Sequence, residues 1–476
     1  MCKKTIFLKR VVVCIVFIDL SGWYAARAKT LLVQGGHLSE FQILVDKLKD
    51  QGAKRVFIKP LANNDNSKQQ VYLGSDFEVI RAIPSGNVSS AGMSKKGAIF
   101  KAPLDFYWIN LDGATDLAPN AQIILYPKYP ETRLSGFLSG CSRKKAIAPS
   151  HLMKPPTTEE RVTRLDTKRY LILGVDEKTV WAHCSAWDGA LHDELKAIVE
   201  GGDARLVASV FYEYSATKES SEEKLLRKLK EIYQQGPIES CRLNSEGELI
   251  TYKAQNGAGY TLEAQFGITP NGSSDPDFMD WELKSHSSGA VTLMTPEPNI
   301  GTYLDDLEVF LRAYGTRIEP ERMDFASRHN VGEKNKKTAL TMGFEGYDPD
   351  SGEILESDGG LMLRDDNGVL VAGWKFEKLI FHWKTKHANT CFVSYTAIRE
   401  TPPRYQYGPK VVLGKGTDLK LFLNALYLST IYYDPGVNMK WIKGKWKPKR
   451  RNQFRISWRN IDSLYVELKN VDLANL

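Results

Sequence analysis

Residues 259–284 read GYTLEAQFGITPNGSSDPDFMDWELK. Near the end of this run Asp277, Glu282 and Lys284 stand at the spacing D-x4-E-x-K. Alternate residues of an extended strand face the same way, so Glu282 and Lys284 are expected to share one face. Trp281 and Leu283 then point into the opposite, apolar layer. A Gly-Ser-Ser-Asp-Pro stretch precedes Asp277 and is expected to turn the chain so that this carboxylate folds back towards Glu282. Two converging carboxylates suit a hard cation such as Mg²⁺. A lysine beside them can position a water and help deprotonate it, and can stabilise charge on a phosphoryl oxygen. Together these groups are the equipment of metal-assisted phosphodiester hydrolysis.

The spacing alone is weak, because roughly one chain in ten of this length carries it by accident at ordinary residue usage. Its surroundings are more specific. TLEAQFGI, residues 261–268, reads as a helix that sets Glu263 among apolar neighbours. From Glu263 through Ser285 the chain resembles the MvaI/BcnI-type restriction endonucleases, a branch of the PD-(D/E)xK nucleases related to the mismatch-repair nicking enzyme MutH. The likeness continues in HWKTKHANTCFV (382–393), YYDPGVN (432–438) and KRRNQFRIS (449–457), and spans roughly residues 217–470.

The resemblance implies a mixed α/β nuclease core with Asp277 and Glu282 holding Mg²⁺, Lys284 holding water, and Glu263 supporting the metal or orienting the lysine. It implies in-line attack of water on double-stranded DNA, giving 3′-hydroxyl and 5′-phosphate ends. The implied site is short, GC-rich and of the CCNGG type. A monomer that nicks one strand at a time belongs to the same expectation, as does a separate methyltransferase protecting host DNA. Two alternatives stay open: a MutH-like nicking or repair enzyme, and a DNA-binding effector that no longer cuts.

Composition bounds the rest. A chain of 476 residues holds two or three domains with sizeable cores. Hydrophobic residues at 42% and charged residues at 25% are those of a folded globular protein. The net charge of +7 permits an anionic partner without demanding one. The cysteines at 2, 14, 141, 184, 241 and 391 show neither a CxxC pair nor zinc spacing and read as reduced thiols. In the first 36 residues, Lys3, Lys4, Lys9 and Arg10 precede the apolar run VVVCIVFI. A start codon set too far upstream, a first strand and an export signal all fit that stretch. The resemblance favours the first two and a cytoplasmic protein. No stretch elsewhere is long enough to span a membrane.

Residues 37–216 are expected to form a β-rich accessory domain. HLSEFQILVDKLKDQG predicts a short helix with Phe41, Leu44, Val45 and Leu48 on one face, and another helix is predicted at 190–200. Between and after them lie short apolar or alternating runs such as RVFIKPL, FEVIRAI, AQIILYP, RYLILGV and TVWAHCSAW. Residues 126–145 mix Arg133, Arg143, Lys144 and Lys145 with Tyr126, Tyr129 and Phe137, which suits either DNA contacts or a solvated loop. Related restriction enzymes carry an N-terminal β-barrel that binds a second copy of the site, and that parallel is one of layout only.

Residues 217–476 form the predicted nuclease domain. It opens with SSEEKLLRKLKEIYQQ, a helix with a Ser220–Glu223 capping box. Towards its end WIKGKWKPKRRNQFR, residues 441–455, places seven basic side chains among Trp441, Trp446 and Phe454. That mixture suits a phosphate track with arginines free to read guanine edges. Lys449, Arg450, Arg451, Gln453 and Arg455 are the predicted DNA contacts there. His387 and Arg133 are added to them, and His286 and His382 are further candidates.

Overall fold

The computed structural model describes residues 39–476 apart from 64–69, 75–81, 96, 129–130, 165–166, 203, 208–209, 215–218, 255–256, 271–275 and 388. The apolar N-terminal stretch, Tyr129 and most of FEVIRAI lie outside the described residues, as does the Gly-Ser-Ser-Asp stretch expected to turn before Asp277.

The helix Glu40–Asp50 buries the four residues its periodicity picks out, and Ser39 caps it by accepting from the Gln42 amide. It packs on a seven-stranded sheet ordered Ala204–Val207, Phe211–Tyr214, Arg55–Leu61, Arg169–Val175, Thr179–Cys184, Asp105–Ile109 and Thr115–Leu117. Within this sheet Thr179–Cys184 runs parallel to Asp105–Ile109 and the other pairings are antiparallel. A five-stranded antiparallel sheet lies between Val71 and Ser135. The helix Thr158–Arg164 buries none of its residues, and so left no periodic signal in the sequence.

Among the described residues no sheet mixes strands from before residue 215 with strands from after residue 237. In the second part the central sheet runs Ile238–Glu239, Arg404–Lys415, Asn389–Ile398, Glu282–His286, with Glu467–Asp472 also paired to Arg404–Lys415. Glu282–His286 lies parallel to Asn389–Ile398, with Glu282 opposite Thr390 and Lys284 opposite Phe392. Two helices cover one face. Ser221–Gln234 begins with the complete capping box at Ser220 and Glu223 and buries Leu225, Leu226, Leu229 and Ile232. Gly257–Gln265 is the helix expected around Glu263, begun four residues earlier. Its first glycine is forced by close approach, since a Cβ there would lie 2.3 Å from the Ser240 hydroxyl. Trp281 and Leu283 join this helical layer, in a cluster with Leu229, Leu262, Cys391 and Val393.

Two sequence expectations differ from the observed elements. TYLDDLEVFLRAYG, residues 302–315, reads in sequence as one helix, but it breaks at Asp306, whose carboxylate caps a new start by accepting from Glu308 and Val309. FRISWRNIDSLYVEL, residues 454–468, reads in sequence as a strand and then a helix, but after Phe454–Ser457 the chain makes a 3₁₀ turn, Trp458–Leu464, and then a strand, Glu467–Asp472. The strand is set by pairing with Arg404–Lys415, which local propensity does not report. The four cysteines among the described residues are free and buried. Among the described residues no helix is long and apolar enough to cross a membrane.

Truncating the fully buried Leu229 is expected to cost about 2–5 kcal/mol, while Ser220→Ala costs about 1 kcal/mol through loss of the cap. Urea unfolding of both variants checks the order.

Candidate functional site

The D-x4-E-x-K run becomes a site through a tight turn and a strand. Phe278 and Trp281 exchange backbone hydrogen bonds of 2.9 and 2.8 Å around Met279 and Asp280. Met279 has φ +54°, the left-handed region that such hairpin corners need. The turn brings Asp277 back onto the strand, where its Oδ2 accepts from the Leu283 amide at 2.8 Å. Asp277 is therefore folded back onto the site strand, with the Phe278–Trp281 corner making the reversal.

Glu282 and Lys284 share the opposite face from Trp281 and Leu283, and their side chains form an ion pair. Glu282 is 1% exposed and Lys284 19%. Burial alone would lower the Lys284 pKa, but Glu282, Asp277 and Glu263 together hold it above its ordinary value. One ammonium thus lies in the field of all three carboxylates that the sequence singled out. The helix that carries Glu263 ends in a Schellman motif: Ile268 N–H donates to the Glu263 carbonyl, Gly267 N–H to Ala264, and Gly267 has φ +74°. Thr261 anchors the same helix, its hydroxyl accepting from Cys241 N–H at 3.0 Å.

The layer beneath is built of polar groups from distant parts of the chain. Trp281 Nε1 donates to Ser221 Oγ at 3.3 Å, tying the strand to the capped helix. Behind Thr390, the register partner of Glu282, Tyr465 donates its hydroxyl to Thr390 Oγ1 at 2.9 Å. His387 meets that same Tyr465 hydroxyl at 3.1 Å and the Leu293 carbonyl at 2.9 Å through its two ring nitrogens. His387 is completely buried and stacks on Trp383. It was expected to touch DNA, but its location gives it the work of an internal brace for the strand beside the site. His286 lies further along the site face, stacked on Trp458 at 3.6 Å, and His382 is half-buried on the helix Phe376–His387.

The basic segment near the C-terminus divides into an arm and a loop. Val437–Ile442 and Lys445–Lys449 form a hairpin closed by Lys443 and Gly444, both at positive φ. Cross-strand register puts Lys440 opposite Lys447, Ile442 opposite Lys445 and Asn438 opposite Lys449 on one face. The other face carries the Trp441–Trp446 edge-to-face pair. Like charges directly opposite each other disfavour a bare hairpin, and a polyanion against that face would relieve them. Beyond the arm, Gly436 N–H donates to the Arg451 carbonyl and Asp434 N–H to the Gln453 carbonyl, both at 2.8 Å. Asn452, fully buried, receives the Tyr433 hydroxyl at 2.6 Å and donates to Tyr303 at 2.8 Å, and Tyr303 donates to Glu297 at 2.6 Å. This framework holds Arg450 and Arg451 at the surface.

Burial, Tyr252 and Glu263 hold the Tyr260 hydroxyl above its ordinary pKa, against an opposing pull from Arg242 and Arg451. The charge of Arg451 is therefore felt at the helix that carries Glu263. Gln453, in the amide orientation that satisfies both its ends, accepts from Arg451 Nη2 and from Thr292 Oγ1 at 3.2 Å. Arg455 is paired with Asp434 at 2.7 Å and braces the loop. Arg133 is far along the first part of the chain, held by Glu131 at 2.7 Å and by Gln70 at 2.9 Å.

Sequence reading missed Asp280, Asn389, Thr390 and Tyr465. Only Asp280 carried a local signal, as a second acidic residue inside the DFMDWELK run.

As for a metal, among the described residues no three His, Cys, Asp or Glu side chains form a group that would cage an ion by themselves. Mg²⁺ requires less, since one or two carboxylates suffice when water and substrate phosphate complete its shell. Glu282 and Asp277, both oxygen donors with Glu263 in the same field, fit that requirement.

A buried carboxylate–lysine pair at a strand start, two helices behind it and an arginine loop beside it describe a site for an anionic substrate. The chain belongs to the MvaI/BcnI restriction endonuclease family, whose sequence profile matches residues 226–465. Among solved structures it is similar to restriction endonuclease MvaI in complex with its cognate DNA, at 18% identity and a TM-score of 0.43, covering 54% of this chain and 99% of that one. The likeness to MvaI in the absence of DNA is 15% identity and a TM-score of 0.31, over the same shares. No curated protein matches the chain.

Burial holds His286 and His329 each down at about 4, so both are neutral in the folded protein at neutral pH. Unfolded histidine titrates near 6.5, so this contribution to stability is present above about pH 6.5 and lost as pH falls towards 4. Urea unfolding at pH 7.5 and pH 5 is expected to show the drop, and His329→Gln should reduce it.

Proposed function

We propose that the protein is a type II restriction endonuclease that hydrolyses phosphodiester bonds at a short site in double-stranded DNA. Family membership with the three-carboxylate field around Lys284 is the observation that carries this reading. Asp277 and Glu282 would hold Mg²⁺, which when bound neutralises charge at the scissile phosphate as a Lewis acid. Lys284 holds the attacking water by hydrogen bonding and offsets charge developing on the phosphoryl oxygen. By themselves Glu282, Asp277 and Glu263 favour the charged form of Lys284, the form that donates to water and to a phosphoryl oxygen. Glu263, whose charge is felt at Lys284, would support the metal shell or orient the lysine. The products are a 3′-hydroxyl and a 5′-phosphate.

The second part of the chain is a PD-(D/E)xK core in this reading, and the first part an accessory domain. Arg450 and Arg451 read or grip the duplex from their braced loop, with Gln453 directing Arg451. The lysine face of the hairpin arm follows the phosphates. A GC-rich site of the CCNGG type, a monomeric enzyme, a cytoplasmic location and a separate protective methyltransferase complete the proposal.

Unmethylated phage DNA with Mg²⁺ is expected to give discrete fragments with the wild-type chain. Lys284→Ala should slow cleavage by about 10²–10³-fold with duplex binding retained. No cleavage by either protein, with binding intact, would overturn the enzyme reading. Changing Lys440, Lys445, Lys447 and Lys449 together to glutamine should weaken binding across sequences, and should flatten the plot of log affinity against log salt by up to about one unit per lost phosphate contact. An unchanged slope would remove the arm from the interface.

A further inference from the structure

Asp280 sits at the corner that turns Asp277 onto the site strand, yet the chemistry proposed above makes no use of it. Its carboxylate is nearly buried and receives Asn389 Nδ2 at 3.1 Å, from the first residue of the neighbouring strand. From the other side comes Arg205, whose Nη2 lies 3.8 Å from Asp280 Oδ2. Arg205 belongs to the edge strand Ala204–Val207 of the seven-stranded sheet, outside the region matched by the family. Its guanidinium is aimed by its own sheet: Glu213, directly opposite in register, takes Nη2 at 2.8 Å and is held in turn by Arg55 Nε at 2.7 Å.

A chain of alternating charge, Arg55–Glu213–Arg205–Asp280, thus runs from the middle of the first sheet to the corner of the site. The corner has reason to need holding. Met279 adopts the left-handed conformation that a residue with a side chain enters reluctantly, and two backbone hydrogen bonds close the turn. Asp277 depends on that closure for its bond to the Leu283 amide.

We propose that Arg205 is a positioning residue, which acts through Asp280 to hold the turn that sets Asp277 against Glu282 and so couples the accessory part of the chain to the site. The role in cleavage rests on the nuclease reading, while the clamp on the turn does not. Its consequence is that the first sheet governs how well the carboxylates receive Mg²⁺, and leaves the grip on DNA alone.

The test compares full-length wild type with Arg205→Met, Arg205→Lys, Asp280→Asn and the double variant Arg205→Met/Asp280→Asn. Arg205→Met is expected to lower kcat by about tenfold or more and to raise the Mg²⁺ concentration for half-maximal rate. Duplex affinity without divalent ion should stay within about twofold of wild type. Hydrogen exchange should quicken at amides 278–283 and stay unchanged in 404–415. Arg205→Lys should restore part of each effect, and the double variant should be no worse than Asp280→Asn. Wild-type kcat, Mg²⁺ dependence and exchange in Arg205→Met would overturn the proposal, as would effects that simply add in the double variant. If the wild-type chain does not cut DNA, the nuclease reading fails by itself and the exchange comparison still decides the clamp.

Discussion

The second part of the protein depends on keeping one ammonium among three carboxylates at the edge of a buried layer. Glu282 is almost wholly removed from water, and an ionised carboxylate in that position is tolerable only with a cation against it. Lys284, two residues along the same strand face, meets that requirement. Asp277 and Glu263 add to Glu282 in favouring the charged form of the lysine. Such a cluster opposes folding unless its members are fixed by structure around them.

That structure comes from elements distant in sequence. The capped helix grips Trp281 from behind, and the strand Asn389–Ile398 pairs with the site strand along its whole length. Tyr465 and His387 brace Thr390, with His387 taking both a hydroxyl and a carbonyl in a dry interior. A histidine so placed fixes strand position, and replacing it would act on the site through geometry. The arginine loop is treated likewise: buried Asn452 between Tyr433 and Tyr303 turns a flexible basic segment into a frame with two arginines on its outer side.

The two parts of the chain are tied by more than covalent linkage. Glu377 accepts from the Ser90 amide at 3.0 Å, and Lys128 pairs with Glu353 at 2.9 Å. One cluster of buried apolar residues runs from Phe57 to Phe454 and beyond, so packing is continuous across the chain. Dense packing transmits small displacements, and a loosened first sheet would be felt at the site corner.

The sequence by itself determined what is local. The capping box at Ser220, the helix faces of Leu44 and Leu229, and the shared face of Glu282 and Lys284 all follow from spacing, because period and cap chemistry act over a few residues. Family-like motifs also marked the basic loop with Arg450 and Arg451. Tertiary structure decided the rest. The field of Glu263 at Lys284, the hold of Arg205 on Asp280 and the burial of His387 rest on contacts across 21, 75 and 94 residues of chain respectively, the last to Leu293. Nothing in local propensity encodes which distant polar groups will share a buried space. That is settled only when sheets and helices pack and each buried donor must find its acceptor.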